Sequence, residues 1–186
     1  KYKISVIIPI YNSSKFIKRC INTLANQDFK KPFEIIFIDD ASKDNSISLI
    51  NKMKLDNVQI FTLSKNSGPS VARNIGIKKA KGKYLYFLDS DDTIEVNTLS
   101  KLYKAASEKN YDIIFADKKR VEKTKDQRQN IFLYSESRRF YKKDILIELK
   151  KRFYDPLYMG GLIGCTGRLI KRSIVINKKL FFNKNL

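Results

Sequence analysis

The chain has 186 residues, of which 42% are hydrophobic and 12% aromatic, and its formal net charge is +19. This content fits one folded domain and excludes a disordered chain. The sequence contains no histidine, which excludes Ser-His and Cys-His catalysis and His-ligated zinc. No apolar run approaches the ~18 residues of a membrane-spanning helix, and residues 1–12 lack the pattern of a signal peptide. We therefore expect a soluble chain. The two cysteines, Cys20 and Cys165, lie far apart in sequence, and we expect them to be buried thiols in a reducing compartment.

Apolar, β-branched runs alternate along the chain with segments of helical periodicity. In chain order, the predicted elements are strand 4–8, helix 16–24, strand 33–38, helix 47–53, strand 58–63, helix 69–82, strand 84–88, helix 99–106 and strand 113–115. Ser13 and Ser14 are placed to cap the first helix, and Pro69 suits the first turn of the third. Repeated strand-helix alternation with short connections predicts an α/β fold with a doubly wound, mostly parallel sheet flanked by helices.

Polar residues follow three of the predicted strands at the point where each strand ends. The first strand runs into Pro9-Ile10-Tyr11-Asn12, the second into Asp39-Asp40-Ala41-Ser42, and the fourth into Asp89-Ser90-Asp91-Asp92. Taken singly, each segment also fits a turn or a helix cap. Ligands of doubly wound sheets bind beyond the carboxyl ends of the strands. The shared position of the three segments therefore predicts one binding crevice.

The segment after the fourth strand carries three carboxylates within four positions, at Asp89, Asp91 and Asp92. Crowded carboxylates repel one another, so such a cluster persists most easily around a divalent cation. Oxygen ligands suit Mg²⁺, Ca²⁺ or Mn²⁺ rather than zinc, and a cation with few protein ligands keeps positions for phosphate oxygens. The glycine-rich loops that commonly hold phosphates are absent from the sequence. A phosphate-bearing substrate held by metal and side chains is the prediction.

Positive charge concentrates in the second half of the chain. Residues 118–152 contain thirteen Lys or Arg against five acidic residues. This distribution predicts affinity for polyanions, and nucleic acid, an anionic membrane surface and a phosphorylated substrate all fit it. Lysine-rich, solvated faces would give the same composition, so the charge alone does not choose among these partners.

Four motifs, taken in order, match a known family. They are Ser5-Val6-Ile7-Ile8-Pro9-Ile10-Tyr11-Asn12, Ile36-Phe37-Ile38-Asp39-Asp40-Ala41-Ser42-Lys43-Asp44, Asn66-Ser67-Gly68-Pro69-Ser70-Val71-Ala72-Arg73-Asn74-Ile75-Gly76, and Leu88-Asp89-Ser90-Asp91-Asp92. Together they closely resemble the motifs of family 2 glycosyltransferases, which have the GT-A fold. The resemblance covers residues 3–116 and continues weakly through residues 167–172.

The resemblance implies a Rossmann-like GT-A fold and an enzyme that transfers a hexosyl or N-acetylhexosaminyl group, with inversion, from a nucleotide-diphosphate sugar. The donor would be a UDP-sugar, and the acceptor a glycan or lipid-linked molecule in cell-surface polysaccharide or glycoconjugate synthesis. The donor-binding residues it implies are Pro9, Ile10, Tyr11, Asn12, Asp40, Asn66, Gly68, Arg73, Asp89 and Ser90. It also implies Mn²⁺ or Mg²⁺ at Asp89, Asp91 and Asp92.

Individual roles follow from the same resemblance. Asp40 would accept a hydrogen bond from the uracil ring, and Arg73 would lie near the donor phosphates or sugar. Asp91 would be the direct metal ligand of the Asp-x-Asp motif. In inverting relatives an aspartate in the second half of the domain acts as general base. No segment around Asp117, Asp144 or Asp155 resembles that base motif, so the base is expected beyond Leu186.

We accordingly assign residues 1–117 to a donor-binding core and residues 118–186 to a basic, incomplete acceptor-side region. The basic groups of the second region would face an anionic acceptor or bilayer, which predicts a cytoplasmic protein that is peripheral on the inner face of the membrane. The basic residues concerned are Lys118, Lys119, Arg120, Arg138, Arg139, Lys150, Lys151 and Arg152.

Two alternatives come from other classes of protein. Residues 88–93 also fit the Asp-x-Asp-x-Thr motif of haloacid dehalogenase-like phosphatases, with Asp89 as nucleophile and Asp91 as general acid. That family places its motif at the first strand, whereas three strand-helix units precede it here. The +19 charge also fits a polyanion-binding domain, but an acidic crevice counts against nucleic acid, and none is expected as a partner.

Overall fold

The structure, a computed structural model, describes residues 1–53, 55, 57–108, 110–115, 117–122, 128–133 and 166–183. The strands are β1 (Ile4–Ile10), β2 (Phe33–Asp39), β3 (Val58–Thr62), β4 (Tyr84–Phe87), β5 (Thr93–Ile94), β6 (Ile113–Phe115), β7 (Asp117–Glu122), β8 (Arg128–Leu133) and β9 (Arg168–Lys171). The helices are α1 (Ile17–Ala25), α2 (Ser46–Lys52), α3 (Pro69–Lys79), α4 (Thr98–Glu108) and α5 (Arg172–Asn177).

The main sheet has six strands in the order β3-β2-β1-β4-β9-β6. Strands β3, β2, β1 and β4 are mutually parallel, and β9 runs antiparallel to both β4 and β6. The predicted mostly parallel α/β sheet is therefore confirmed. Strand β1 has β2 on one side and β4 on the other, so the strand order reverses at β1. A crevice for a ligand is expected beyond the carboxyl end of this strand.

Both faces of the sheet are buried. On one face Val6, Ile8 and Ile10 of β1 pack with the buried stripe of α1 and with α4, and on the other Ile7 packs with residues of α3. This is why β1 reads as an almost continuous apolar run rather than as an alternating one. A smaller sheet, in the order β5-β8-β7, was not predicted from the sequence.

The segment 166–183 belongs to the same sheet as the first half of the chain. Its strand β9 lies between β4 and β6, and Leu169 and Ile170 are buried in the two core clusters. Val175 and Leu180 follow in the core. The acceptor-side role of residues 118–186 stays a prediction, but this last part of the region completes the sheet.

A buried carboxylate lies near the start of β2, at the opposite end of this strand from Asp39. Glu34 accepts hydrogen bonds from the Ser5 hydroxyl at 2.6 Å, the Lys81 backbone N–H at 2.6 Å and the Gln59 amide at 2.8 Å. The Gly82 N–H donates in turn to Ser5 Oγ at 2.8 Å. Because a buried charge is costly without partners, this network ties the first three strands to the turn before β4.

Helix α3 approaches β1 so closely that a side chain at Gly76 has no room. A β-carbon placed there would overlap Ile7 Cγ2. An exposed helical Gly→Ala change stabilises by about 1 kcal/mol, but here the overlap dominates, and we expect Gly76→Ala to lower the free energy of unfolding by about 1–3 kcal/mol. Urea denaturation would measure this, with Lys78→Ala on the exposed side of α3 as the control. A Gly76→Ala protein that is as stable as the wild type would contradict the close approach.

Candidate active site

A cleft of about 270 Å³ opens beyond the carboxyl ends of β1, β2 and β4. The residues that line it are Pro9, Ile10, Tyr11, Asp40, Asn66, Gly68, Pro69, Arg73, Asp89 and Ser90. The structure thus brings together nine of the ten residues that the sequence predicts to bind the donor. Pro69, the first residue of α3, also lines the cleft, whereas Asn12 does not.

Asn12 is exposed outside the cleft lining and joins the β1–α1 loop to the β2–α2 loop. Its N–H donates to Ser42 Oγ at 3.0 Å, and its side-chain oxygen accepts the Lys43 N–H at 2.9 Å. Asn12 and Ala41 have positive φ angles, of 48° and 60°. This conformation is tolerated by asparagine but uncommon for alanine, and such backbone is often found at functional sites.

A second contact between these loops runs through Asp44. Its carboxylate accepts the Ser14 N–H at 2.8 Å, and the N–H and hydroxyl of Ser46 at 3.0 and 2.6 Å. Burial raises the pKa of Asp44, but the hydrogen bonds from Ser46 and Ser14 outweigh it and lower this pKa from 3.8 to about 2. The carboxylate is therefore ionised and holds the loops together throughout the neutral range.

Ser13 has a different role from the predicted helix cap. No side chain caps α1; the Ser13 carbonyl accepts the Phe16 and Ile17 N–H groups instead. The Ser13 hydroxyl lies 2.7 Å from Ser90 Oγ and so connects the β1–α1 loop to the segment after β4. The capping prediction for Ser13 and Ser14 was wrong, because α1 begins later, with Phe16 as its N-cap. The Ser13 hydroxyl also donates to the Tyr11 carbonyl at 3.3 Å.

Asp40 shapes one wall of the cleft. Its two carboxylate oxygens accept the Ser67 and Gly68 N–H groups, each at 2.7 Å, and the residue is only 3% exposed. Gly68 has a φ angle of 86°, which glycine adopts freely, and α3 begins at the next residue. Asp40 therefore fixes the turn that carries Asn66 and Gly68 into the cleft. A hydrogen bond from a uracil ring to this carboxylate stays a prediction.

Arg73 and Asp89 face each other within the cleft. Arg73 Nη2 lies 2.7 Å from Asp89 Oδ1, and its guanidinium carbon lies 5.6 Å from the centre of the Phe182 ring. Phe182 is held by Asn74, whose amide donates to the Phe182 carbonyl at 2.9 Å and accepts its N–H at 2.8 Å. The chain segment after α5 therefore supports the cationic side of the cleft.

Sequence reasoning missed Asn74 and Phe182 as parts of this site. Asn74 is 4% exposed on the inner side of α3, and a polar residue on a buried helix face is the signal that could have identified it. Phe182 carries no local signal, because its contact with Asn74 spans 108 positions of the chain.

The three clustered carboxylates have different surroundings. Asp89 lines the cleft and pairs with Arg73, Asp91 is exposed, and Asp92 is 2% exposed. Burial first, and then the Asp92 carboxylate, raises the pKa of the Cys20 thiol and of the Tyr86 hydroxyl, and Asp91 and Asp89 add to the effect on Cys20. Within the residues that the structure describes, no three acidic or thiol side chains are placed to bind one metal ion. A ligand set that combines Asp89, Asp91 and Asp92 is therefore not supported.

Several predictions from the second half fall outside the described part of the chain. Cys165, Asp144, Asp155 and the basic residues from Arg138 to Arg152 lie there, and residues 117–120 are described only as backbone of β7. Cys20 is a buried free thiol, as predicted. Of the helices in the described ranges, none is both long and apolar enough to cross a bilayer.

The sequence profile described as Glycosyl transferase family 2 matches residues 5–170. The chain belongs to glycosyl transferase family 2. The resemblance inferred from the four motifs is thereby confirmed, and the family favours glycosyl transfer over the phosphatase and polyanion-binding alternatives. The geometry agrees, since an Asp89 that is ion-paired with Arg73 is poorly placed to act as a phosphatase nucleophile.

Two curated relatives are poly(ribitol-phosphate) glycosyltransferases. The chain is 44% identical over 115 residues to the poly(ribitol-phosphate) beta-glucosyltransferase of Bacillus spizizenii. This match covers 60% of this chain and 18% of the relative. It is 38% identical over 122 residues to the poly(ribitol-phosphate) beta-N-acetylglucosaminyltransferase TarS of Staphylococcus aureus. That match covers 64% of this chain and 21% of TarS. The chain thus spans about a fifth of the length of these relatives.

The fold is that of TarS residues 1–349 from Staphylococcus aureus. The crystal structure of that protein in complex with UDP superposes with a TM-score of 0.74 at 27% identity, and covers 99% of this chain and 51% of that one. The predicted GT-A fold is confirmed by this likeness.

Proposed function

We propose that this chain forms the donor-binding part of a glycosyltransferase that transfers a sugar from a UDP-sugar to a glycan acceptor in cell-surface polysaccharide synthesis. The observation that carries the proposal is the cleft beyond β1, β2 and β4, which combines Tyr11, Asp40 and Arg73 at the point where the strand order reverses. The TarS protein, with the same fold, forms complexes with UDP and with UDP-GlcNAc.

One side of the cleft suits a nucleoside. Tyr11 is 48% exposed and lines the cleft with the apolar residues Pro9 and Ile10, so its ring offers a face on which a base can stack. Asp40 lies within the same lining. Each of its oxygens uses one lone pair for a backbone N–H and keeps another for the N–H of a uracil ring.

The other side suits the diphosphate. Arg73 carries a fixed positive charge with a planar donor group that matches phosphate oxygens. Asp89 shares this charge at 2.7 Å, so diphosphate would compete with the carboxylate for the same guanidinium. Phe182 and Asn74 keep the guanidinium at the cleft during this exchange.

We assign a divalent cation, Mn²⁺ or Mg²⁺, to the exposed carboxylate of Asp91, with Asp89 as the further carboxylate of the motif. These residues fit a cation that takes one or two carboxylates and draws its other ligands from phosphate and water. When bound, the cation would stabilise the negative charge that develops on the departing diphosphate. Asp92, buried beside Cys20, is not included in this assignment.

The carboxylates that line the described cleft do not fit the role of the general base. Asp40 and Asp89 are the carboxylates that line the described cleft, and both are engaged. We therefore assign the general base of an inverting reaction to a residue outside the described ranges. We also propose a hexose or N-acetylhexosamine as the transferred sugar, which the names of the two relatives support. An anionic or lipid-linked acceptor at a membrane surface is a further proposal, supported by the +19 charge.

Thermal unfolding with UDP, GDP and CMP, each with and without Mn²⁺, tests the donor site. A ligand at 100 times its Kd adds ~2.7 kcal/mol, so we expect UDP with Mn²⁺ to raise Tm by about 5–10 °C in a domain of this size. Asp91→Ala should remove the metal-dependent part, whereas Asp28→Ala, at an exposed carboxylate outside the cleft, should keep it. No shift with any nucleotide, or a shift with GDP alone, would overturn the UDP proposal.

A further inference from the structure

Three polar side chains, Arg19, Thr23 and Gln27, follow one another at four-residue intervals along α1 and the turn after it. Residues at this spacing lie on the same side of a helix. None of the three lines the cleft, and the proposed donor site uses none of them. We call them the α1 stripe.

The α1 stripe binds the main chain of residues 91–99. The Arg19 guanidinium donates to the Asp91 carbonyl at 2.9 Å, and the Ile94 N–H donates to Thr23 Oγ1 at 3.4 Å. The Gln27 amide donates to the Glu95 carbonyl at 2.8 Å and accepts the Leu99 N–H at 3.1 Å. Because every partner is a backbone group, the α1 stripe fixes the path of this segment whatever side chains it carries.

An open hollow of about 500 Å³ lies against this contact. It is lined by Lys18, Arg19, Asn22, Thr23, Asn26, Ile94 and Val96. On its other side the segment is anchored by the buried Ile94 and Leu99, so on the side of the hollow the hydrogen bonds of the α1 stripe supplement this packing. Arg19 makes the bond nearest to the carboxylate segment, and its guanidinium lies 6.0 Å from the centre of the Phe16 ring.

We propose that Arg19 is a positioning residue for Asp91. By holding the Asp91 carbonyl, Arg19 fixes the backbone from which the Asp91 carboxylate projects, and Thr23 and Gln27 hold the continuation of that backbone into α4. Groups that orient a metal ligand commonly change metal affinity by about 10- to 100-fold when they are removed. The consequence for metal and donor binding rests on the function proposed above, whereas the effect on the backbone does not.

The experiment compares Arg19→Met and Arg19→Lys with Lys18→Met, which removes the exposed neighbouring charge. Amide hydrogen exchange at Asp92 and Ile94 reports the segment, and isothermal titration with UDP, with and without Mn²⁺, reports the donor site. We expect Arg19→Met to speed exchange at these amides about 10-fold or more and to weaken Mn²⁺-dependent UDP binding about 10- to 100-fold. Metal-free UDP binding should change little, and Arg19→Lys should recover part of the loss.

Unchanged exchange in Arg19→Met would overturn the proposal, and so would an equal loss of UDP affinity with and without Mn²⁺. A loss of the same size in Lys18→Met would also overturn it, since it would show a general charge effect. A wild-type protein that binds no UDP would refute the proposed function, and the exchange rates at Asp92 and Ile94 would still decide the role of Arg19.

Discussion

Replacing Asp40 by alanine is expected to abolish nucleotide binding and to lower the free energy of unfolding by about 3–6 kcal/mol. The carboxylate, 3% exposed, accepts the Ser67 and Gly68 N–H groups at 2.7 Å. A hydrogen bond to a charged group contributes about 1.5–3 kcal/mol, and the two donors would lose their partner. The turn that places Asn66 and Gly68 in the cleft would then relax.

Urea denaturation and titration with uridine and UDP would measure these effects. Both ligands should be lost in Asp40→Ala, since the defect lies on the base side of the cleft. Asp40→Asn should behave similarly, because its NH₂ group would face a backbone donor. Asp28→Ala serves as the matched control at an exposed carboxylate. An Asp40→Ala protein of wild-type stability that still binds UDP would contradict both roles of the residue.

The strands and the cleft could be predicted because their signals are local. Each central strand is a run of apolar residues, and the polar residues that line the cleft follow directly after β1, β2 and β4. Parallel strands end at one edge of the sheet, so separate motifs converge without any knowledge of long-range contacts. Tyr11, Asp40 and Asp89 were located in this way.

The long-range parts of the fold could not be predicted. Strand β9 has only four residues, and its place between β4 and β6 is decided by pairing across the sheet. The support of Arg73 by Phe182 likewise depends on a contact across more than 100 positions. Neither feature leaves a periodic pattern in its own segment.

The sequence did not predict how the side chains of the carboxylate segment are arranged. Asp89, Asp91 and Asp92 are neighbours in sequence, and counting carboxylates treats them as one cluster. In a turn, successive side chains point in different directions, and here one meets Arg73, one is exposed and one is buried near Cys20. Spacing in the sequence therefore indicated which segment lies at the cleft, but not which oxygen atoms would share a ligand.

Two carboxylates in the cleft lining would repel a negatively charged diphosphate. Asp40 and Asp89 both line it, and a diphosphate adds further negative charge. Arg73 is the cation in the described lining, and its guanidinium is held between Asp89 and the Phe182 ring. Binding of UDP in this cleft should therefore depend strongly on this one side chain.

Arg73→Met is expected to weaken UDP binding about 10- to 150-fold, as the loss of a charge-assisted hydrogen bond of about 1.5–3 kcal/mol implies. Uridine, which lacks phosphate, should bind the variant as it binds the wild type. The free energy of unfolding should change by less than about 1 kcal/mol, because the ion pair with Asp89 is partly exposed and methionine can still pack on Phe182.

Titration calorimetry with UDP and uridine separates this role from a structural one. Arg73→Lys, which keeps the charge but loses the planar donor group, should give an intermediate loss. Lys78→Met removes a charge from the exposed last turn of the same helix and should have little effect. If Arg73→Met and the wild type bind UDP equally, Arg73 serves only to neutralise Asp89, and the diphosphate must lie elsewhere in the protein. Equal losses for UDP and uridine would instead show that Arg73 maintains the shape of the cleft.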